Sequence, residues 1–552
     1  MAFSFVIPPV CTIFVENRNE RQKPMTKEQE RAELHKTIWR IANDLRGSVD
    51  GWDFKSYVLG MLFYRFISEN ITRRANQLVE EAEGGTFDYT RMADADAEVA
   101  RAQMVGEIGY FILPSELFCN VQQRAAQDEN LNITLGNIFS HIENSANGND
   151  SEQDIKGLFS DVDTNSPKLG STVAQRNEKL VKILNAIADL NLGNPIDQTV
   201  NDTFGDAYEF LMTMYASNAG KSGGEFFTPQ EVSRLLAKIS IGNKKKIKKA
   251  YDPACGSGSL LLQFKKMLGD DCPPLFGQEI NPTTYNLCRI NMFLHGMGFD
   301  KFDIQLGDTL KDPKHWDYEP FDAIVSNPPY SIRWEGDANP ILINDERFAP
   351  AGVLAPKSKA DLAFTMHMLS WLSTDGTAAI VEFPGVLYRG GAEQKIRSYL
   401  IKNNFVDTVI QLPDNLFFGV SIATCIIVLK KSKADANILF IDASKEFVHE
   451  GNKNKLADDN IRHIYDAWHA RKDVAHFARL VSNDDILAND ANISVSSYVE
   501  PEDTTEKVDI NELNQRIADI VAKENVLRTE IDKIVAELAE VGEVCRGKFF
   551  FK

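Results

Sequence analysis

Lys248-Lys-Ala-Tyr-Asp252-Pro-Ala-Cys-Gly256-Ser-Gly258-Ser259-Leu-Leu-Leu-Gln-Phe264 decides the fold of this chain. A short strand-like run ends in Asp252, turns through two glycines and enters an apolar-rich helix that continues to Leu268. Glycine tolerates the tight turn and lets backbone approach a ligand closely, as the first strand-to-helix turn of a nucleotide-binding sheet requires. Downstream the alternation repeats. Strands are expected over 275–280, 302–306, 321–326, 377–383, 406–411, 423–429 and 438–441, with helices over 283–295 and 362–372. This order predicts an α/β fold built on a mostly parallel, doubly wound sheet, with an antiparallel hairpin around Phe418 and Gly419.

Upstream the texture differs. Leu34, Ile38, Ile41 and Leu45 recur at helical spacing before Gly47, and apolar-rich helices are expected over 52–71 and 178–192. A further helix over 204–216 leads into the sheet region. At the other end, Leu513, Ile517, Ile520, Glu524, Leu527, Ile531, Ile534, Leu538 and Val541 alternate spacings of four and three, a heptad seam with one polar member. Such a seam calls for burial against another helix, in this chain or in a partner.

Composition narrows the chemistry. The 552 residues are 43% hydrophobic and 25% charged, which excludes disordered and membrane-dominated classes. Against 60 Lys and Arg stand 79 Asp and Glu, a net charge of −19. Phosphate neutralisation by cations supplies most non-specific nucleic-acid binding, so a nucleic-acid substrate would need a more basic partner. Seven cysteines without a CxxC pair indicate a reducing compartment, and no metal site is expected. The apolar run from Phe3 to Val15 is broken by Pro8 and Pro9 and is too short to span a bilayer. Residues 1–25 therefore read as a loose tail, or the product of an upstream start codon, on a cytoplasmic chain.

Three further motifs could carry chemistry. Glu279, about twenty residues past the glycine turn, suits a ribose hydroxyl pair. A third glycine is absent at Leu261, and Gly220-Lys-Ser222 lacks the preceding glycine and strand of a phosphate loop, so the ligand reads as a nucleoside without a phosphate cradle. Asn327-Pro328-Pro329-Tyr330 closes the fourth strand: the residue before proline is held extended, and two prolines fix the backbone. Asn327 is thus rigid at the carboxyl edge of the sheet, where the Asn side-chain oxygen and the Pro328 carbonyl can accept both hydrogens of an amino group and Tyr330 offers a stacking face. Glu225-Phe226-Phe227-Thr228-Pro229-Gln230 precedes the sheet. Thr228, Pro229 and Glu231 form an expected capping box opening a helix to residue 239, with the two aromatics available to cover a ligand.

Together these residues resemble the S-adenosylmethionine-dependent amino-methyltransferases, and the motif order is similar to the γ class of DNA N6-adenine methyltransferases. Ile38-Trp-Arg-Ile-Ala-Asn-Asp-Leu-Arg-Gly47, Asn344-Asp-Glu-Arg-Phe-Ala-Pro-Ala-Gly352 and Ile493-Ser-Val-Ser-Ser-Tyr498 extend the likeness to the modification subunit of type I restriction–modification systems, nearest to the IC subfamily. Cys255 departs from the pattern, where a small residue is usual. The resemblance runs from about Lys27 to Ala539 and leaves residues 1–24 without a counterpart; after the loose tail over 1–25, the chain reads as a helical N-terminal domain over 26–201, a Rossmann-like methyltransferase domain over 202–445, an extension over 446–504 and a coiled-coil-like helical tail for subunit assembly over 505–552.

It further implies S-adenosyl-L-methionine held by residues 225–230, Asp252, the Gly256-Ser257-Gly258-Ser259 turn, Glu279 and Asp308, with Asn327, Pro328, Pro329 and Tyr330 at the methyl acceptor. The implied partners are double-stranded DNA, one specificity subunit, a second modification subunit (an M2S1-type complex) and the restriction subunit, without a membrane. Lys357 and Lys359 are candidates beside the base pocket, whereas the 244–249 lysine run reads mainly as a solvated approach to a strand. Competing readings are a protein or RNA amino-methyltransferase, a one-chain restriction enzyme and a silent assembly scaffold.

Overall fold

A computed structural model describes residues 34–38, 53–192, 199–218, 228–417, 419–451, 453–502 and 509–547. The chain divides into two units, one running to residue 500 and one from 501 onward.

In the first unit the leading helices are α1 (Asp53–Glu83), α2 (Phe118–Arg124), α3 (Leu131–Ser145), α4 (Val173–Ala188) and α5 (Thr199–Asn218). Helix α1 is buried on every side over Tyr57 to Tyr64, which makes it the central rod against which α2, α4 and α5 pack. It outlasts the expected span because Thr72 to Glu83 is rich in residues that favour helix even when exposed. Helix α4 starts five residues earlier than the apolar pattern indicates. Thr172 accepts from the Gln175 backbone N–H while the Gln175 side chain reaches back to Thr172, a capping box that nucleates the first turn.

The rest of the unit is one nine-stranded sheet with strand order β11-β8-β6-β7-β5-β4-β1-β2-β3. Its members are β1 (Ala250–Asp252), β2 (Leu275–Glu279), β3 (Phe302–Leu306), β4 (Phe321–Ser326), β5 (Leu372–Glu382), β6 (Val406–Gln411), β7 (Cys425–Leu429), β8 (Asn437–Asp442) and β11 (Ala478–Ser482), while β9 (Val448–Glu450) and β10 (Lys453–Lys455) form a separate hairpin. Strands β1 to β5 pair in parallel, as do β6 and β8. Strand β7 runs antiparallel between β5 and β6, as the expected hairpin requires, and β11 is antiparallel at the edge. Phe418, in the β6–β7 connection, lies outside the described residues.

Alternation along the strands builds the two faces. Ala379 and Val381 of β5, Ile426 and Val428 of β7 and Leu439 and Ile441 of β8 point into one apolar layer. Their neighbours Ala378 and Ile380, Ile427 and Leu429, and Ile438 and Phe440 point into the other. The first layer is roofed by α6 (Gln230–Ile241), α7 (Leu261–Leu268), α8 (Pro282–Leu294) and α11 (Asp458–Ala470), the second by α9 (Asp361–Trp371) and α10 (Ala392–Lys402). The chain moves from β1 outward to β2 and β3, then returns to the opposite side of β1 with β4. That reversal leaves a crevice at the carboxyl ends of β1 and β4, where open α/β sheets bind ligands.

The second unit is the single helix α12 (Ile510–Gly547). Its seam is open to solvent in the isolated chain: Leu513 is 45% exposed, Ile520 64% and Leu538 66%. The helix the heptads call for is therefore present, with its described seam residues exposed. No described helix is long and apolar enough to cross a membrane.

Candidate active site

The crevice holds a cavity of about 440 Å³, within the size range of small-molecule sites. Glu279 and Asp308 line it together with Pro253 and Ala254 of the glycine turn and Pro329 of the Asn-Pro-Pro-Tyr segment. Four strand ends thus bring separately read motifs to one place.

Each wall has its own fastening. The Glu279 carboxylate accepts from Gly256 N–H at 3.0 Å and from Asn281 N–H at 2.8 Å. Burial raises its proton affinity above the usual carboxylate range, and those backbone donors oppose the rise. Asp308 Oδ1 accepts from Leu310 N–H at 3.0 Å, an Asx turn that aims the side chain. Asp252 closes β1 by accepting from Ala254 N–H and from the Ser326 hydroxyl, both at 2.9 Å, so it bridges β1 to β4. Burial pushes its carboxyl up to about 7.

Gly256 and Gly258 take φ of 53° and 80°, where a side chain is strained. At Gly258 the space is also absent, because a Cβ would lie 2.8 Å from Cys288 Sγ on α8. Ser257 and Ser259 are buried, and the Ser257 carbonyl accepts from Asn291 Nδ2 at 2.9 Å, fastening the turn to α8.

Asn327 is oriented from both ends of its amide. Its Nδ2 donates to Thr228 Oγ1 at 3.0 Å, and its Oδ1 accepts from the Tyr330 hydroxyl at 2.6 Å. The expected capping box is corrected here: α6 begins at Gln230 with no side-chain cap bond, because the Thr228 hydroxyl faces Asn327 instead. Gln230 Oε1 accepts from Gln263 Nε2 at 2.6 Å, while its own Nε2 is buried with no partner among the described residues. An orphaned donor at this edge fits an anionic ligand group. Glu225, Phe226 and Phe227 lie outside the described residues.

Tyr330 stands with its ring 6.4 Å from those of Phe383 and Phe417, and burial raises its phenol well above the usual value. These two aromatics escaped the sequence reading, as did Ile280, Trp334 and Phe364 on the cavity wall. Ile280 carried a signal: a large apolar side chain, 63% exposed, immediately follows the strand-ending acid. Lys357 is exposed and serves through its carbonyl, which accepts from Trp334 N–H at 3.0 Å. Neither Lys357 nor Lys359 lines the cavity. In the lysine run, Lys244 Nζ donates to the Asp322 carbonyl at 2.9 Å and Lys249 Nζ to that of Tyr318, so both brace the entry to the sheet.

Comparison with known proteins identifies the family. A family profile described as N-6 DNA Methylase matches residues 199–507, and one described as HsdM N-terminal domain matches 34–187. The chain is 48% identical over 530 residues to the type I restriction enzyme MpnII methylase subunit of Mycoplasma pneumoniae, covering 92% of this chain and 97% of that one. It is 28% identical to the MjaVII methylase subunit of Methanocaldococcus jannaschii, over 92% and 85% of the two chains. The crystal structure of a type I restriction–modification methyltransferase subunit from Streptococcus thermophilus superposes with a TM-score of 0.77 at 36% identity, covering 85% of this chain and all of that one.

Proposed function

This chain belongs to the family of type I restriction–modification DNA methylase subunits, adenine-specific methyltransferases, and from that premise we propose how its own residues carry N6-methyl transfer. The observation that carries the reading is the two-ended fastening of Asn327 beside a cavity walled by Glu279 and Asp308. S-adenosylmethionine, when bound, supplies a methyl group on a positively charged sulfur. Glu279 takes the ribose hydroxyls and Asp308 the adenine amino group of that cofactor. Gln230 Nε2, with residues 225–229, Asp252 and the 256–259 turn, holds its methionine end.

The target adenine has to leave the duplex to be reached. Tyr330 stacks on it. Its amino nitrogen is a weak nucleophile because the lone pair is shared with the ring. Asn327 Oδ1 has a second lone pair beyond the one Tyr330 uses, and with the Pro328 carbonyl it accepts the two amino hydrogens. Those bonds draw the lone pair out of the ring and aim it. Methylation makes the nitrogen acidic, so its proton departs late and no strong base is required. Positioning and fixed dipoles do the catalysis.

A net charge of −19 leaves duplex binding to other chains. We assign target reading to one specificity subunit shared with a second copy of this chain, the restriction subunit joining the full complex, all in the cytoplasm. Helix α12 docks in that assembly through its seam, with domain boundaries at 201 and 504; α11 and β11 pack on the catalytic sheet, so the residues past 445 extend that domain.

The test is methyl transfer from tritiated S-adenosylmethionine to adenine-rich DNA, with and without the specificity chain. Incorporation at adenine N6 only with the specificity chain is the expected result. Asn327→Ala should lower kcat by on the order of 100-fold to 1,000-fold while cofactor affinity, by calorimetry, changes little. Robust methylation by this chain alone would overturn the argument from charge.

A further inference from the structure

The segment that carries Asn327 and Tyr330 leaves the site through Ser331, whose φ is 51°. A residue with a side chain is strained in that region, so its surroundings must hold it there. The Ser331 N–H donates to Asp361 Oδ1 at 2.9 Å, and Ala360 N–H donates to the Ile332 carbonyl at 3.0 Å. The start of α9 is therefore the clamp on the catalytic turn.

Asp361 is 1% exposed, and its Oδ2 is buried with no partner among the described residues. One turn along α9, the Thr365 hydroxyl donates to Glu382 Oε1 at 2.9 Å. Glu382 ends β5, is fully buried, and its Oε2 likewise has no partner. Two buried carboxyl groups thus face the same seam between α9 and the end of β5, each satisfied at one oxygen and bare at the other. Burial and the Asp361 charge both drive Glu382 far toward its protonated form. Glu393 from α10 adds to the negative field, and Arg389 and Lys359 moderate Glu393. Cys425 Sγ donates to the Glu382 carbonyl at 3.3 Å, and the Tyr330 phenol faces the same carboxyl groups.

Thr365 lies one helical turn after Asp361, so its bond to Glu382 sets the two carboxyl groups on one side of α9, where a shared proton would satisfy both bare oxygens. We propose that Glu382 is a carboxylic acid donating to Asp361 Oδ2, and that this shared-proton pair is the positioning device that holds the Asn327–Ser331 turn for methyl transfer. Asp361 then keeps its other oxygen on Ser331 N–H, and Thr365 fixes the rotation of Glu382. Loss of the proton puts two like charges together in a dry seam, where the cheapest relief is for Asp361 to swing away and release Ser331. The pair touches neither substrate nor cofactor; it acts through the turn.

The role assigned to the pair rests on the methyl-transfer reading, so the test has one arm that does not. The infrared difference spectrum of wild type minus Glu382→Gln, taken at neutral pH so that the partly protonated Asp252 cancels, should contain a protonated-carboxyl band. In the methylation assay with the specificity chain, wild-type kcat should fall at alkaline pH as the shared proton leaves. Glu382→Gln carries its donor permanently, so its alkaline fall should be lost. Asp361→Ala should lower kcat by on the order of 10-fold to 100-fold, more than it raises KM for the cofactor. Absence of the acid band from that difference spectrum, or an alkaline fall in Glu382→Gln equal to wild type, overturns the proposal. If wild type transfers no methyl group at all, the functional reading fails, while the infrared difference still decides whether the proton is shared.

Discussion

At the scale of single residues, Asp252 shows how the site is built at a cost to stability. Its Oδ1 collects one bond from the glycine turn and one from β4, so a single side chain ties the two strand ends that flank the crevice. The cost is a carboxyl raised from 3.8 to about 7. The folded chain therefore binds a proton there more tightly than the unfolded chain. That contribution is fully present below about pH 3.8 and is lost as pH rises through about 7. Asp252→Asn keeps the accepting oxygen and never ionises. Its unfolding free energy should exceed that of wild type by more at pH 8 than at pH 5, the difference being on the order of a few kcal/mol. Thermal unfolding at the two pH values measures this, and an equal gap at both would refute the assignment.

At the scale of elements, the connection between β4 and α9 is the part the sequence described least well. It reads there as a long loop with two lysines and a family-like Asn344–Gly352 segment. Folded, it is held by Arg347, which is 1% exposed. Arg347 Nη1 and Nη2 donate to the Thr309 and Leu310 carbonyls, both at 2.8 Å, and Nη2 also reaches Asp345 Oδ2 at 2.7 Å. Thr309 and Leu310 belong to the cavity wall, so a guanidinium in one connection shapes the binding surface of another. His367, kept neutral by burial and by that guanidinium, fills the remaining side. Arg347→Leu should destabilise the chain by about 3 kcal/mol or more, because it strands a carboxylate and two carbonyls together. It should also weaken cofactor binding; denaturant titration and calorimetry report the two effects, and wild-type values in both would contradict this role. Helix α6 is the converse case. Its apolar face was legible, yet the cap at Thr228 was not, since a hydroxyl can serve either the helix or Asn327 and only the packed strand decides.

For the whole molecule, charge and the terminal helix point the same way. The acidic net charge opposes DNA binding by the body alone, and α12, 38 residues and roughly 57 Å long at 1.5 Å per residue, presents apolar side chains from Leu513 to Leu538. Exposed singly such side chains are ordinary, but at heptad spacing they form a docking seam. Replacing Ile520, Leu527 and Ile534 together by Glu should abolish co-elution with the specificity chain. Cofactor affinity and the melting temperature of the body should stay at wild-type values, since none of the three is buried in the isolated chain. Retained co-elution would assign the docking surface elsewhere.

What the sequence determined by itself is whatever depends on local chemistry and spacing. The alternation of strands and helices, the Asp252–Ser259 turn, the acid at Glu279, the proline-locked Asn327 and the heptad seam are all written within a few residues of themselves, because backbone geometry and side-chain periodicity act at short range. What only the tertiary structure decided is whatever depends on residues remote in the chain. Thr228 meets Asn327 across 99 positions, Asp361 meets Ser331 across 30, and Arg347 reaches Thr309 across 38. No local pattern encodes such pairs. They exist because the sheet reverses direction at β1 and carries distant segments to one edge, where burial forces each polar group to find a partner.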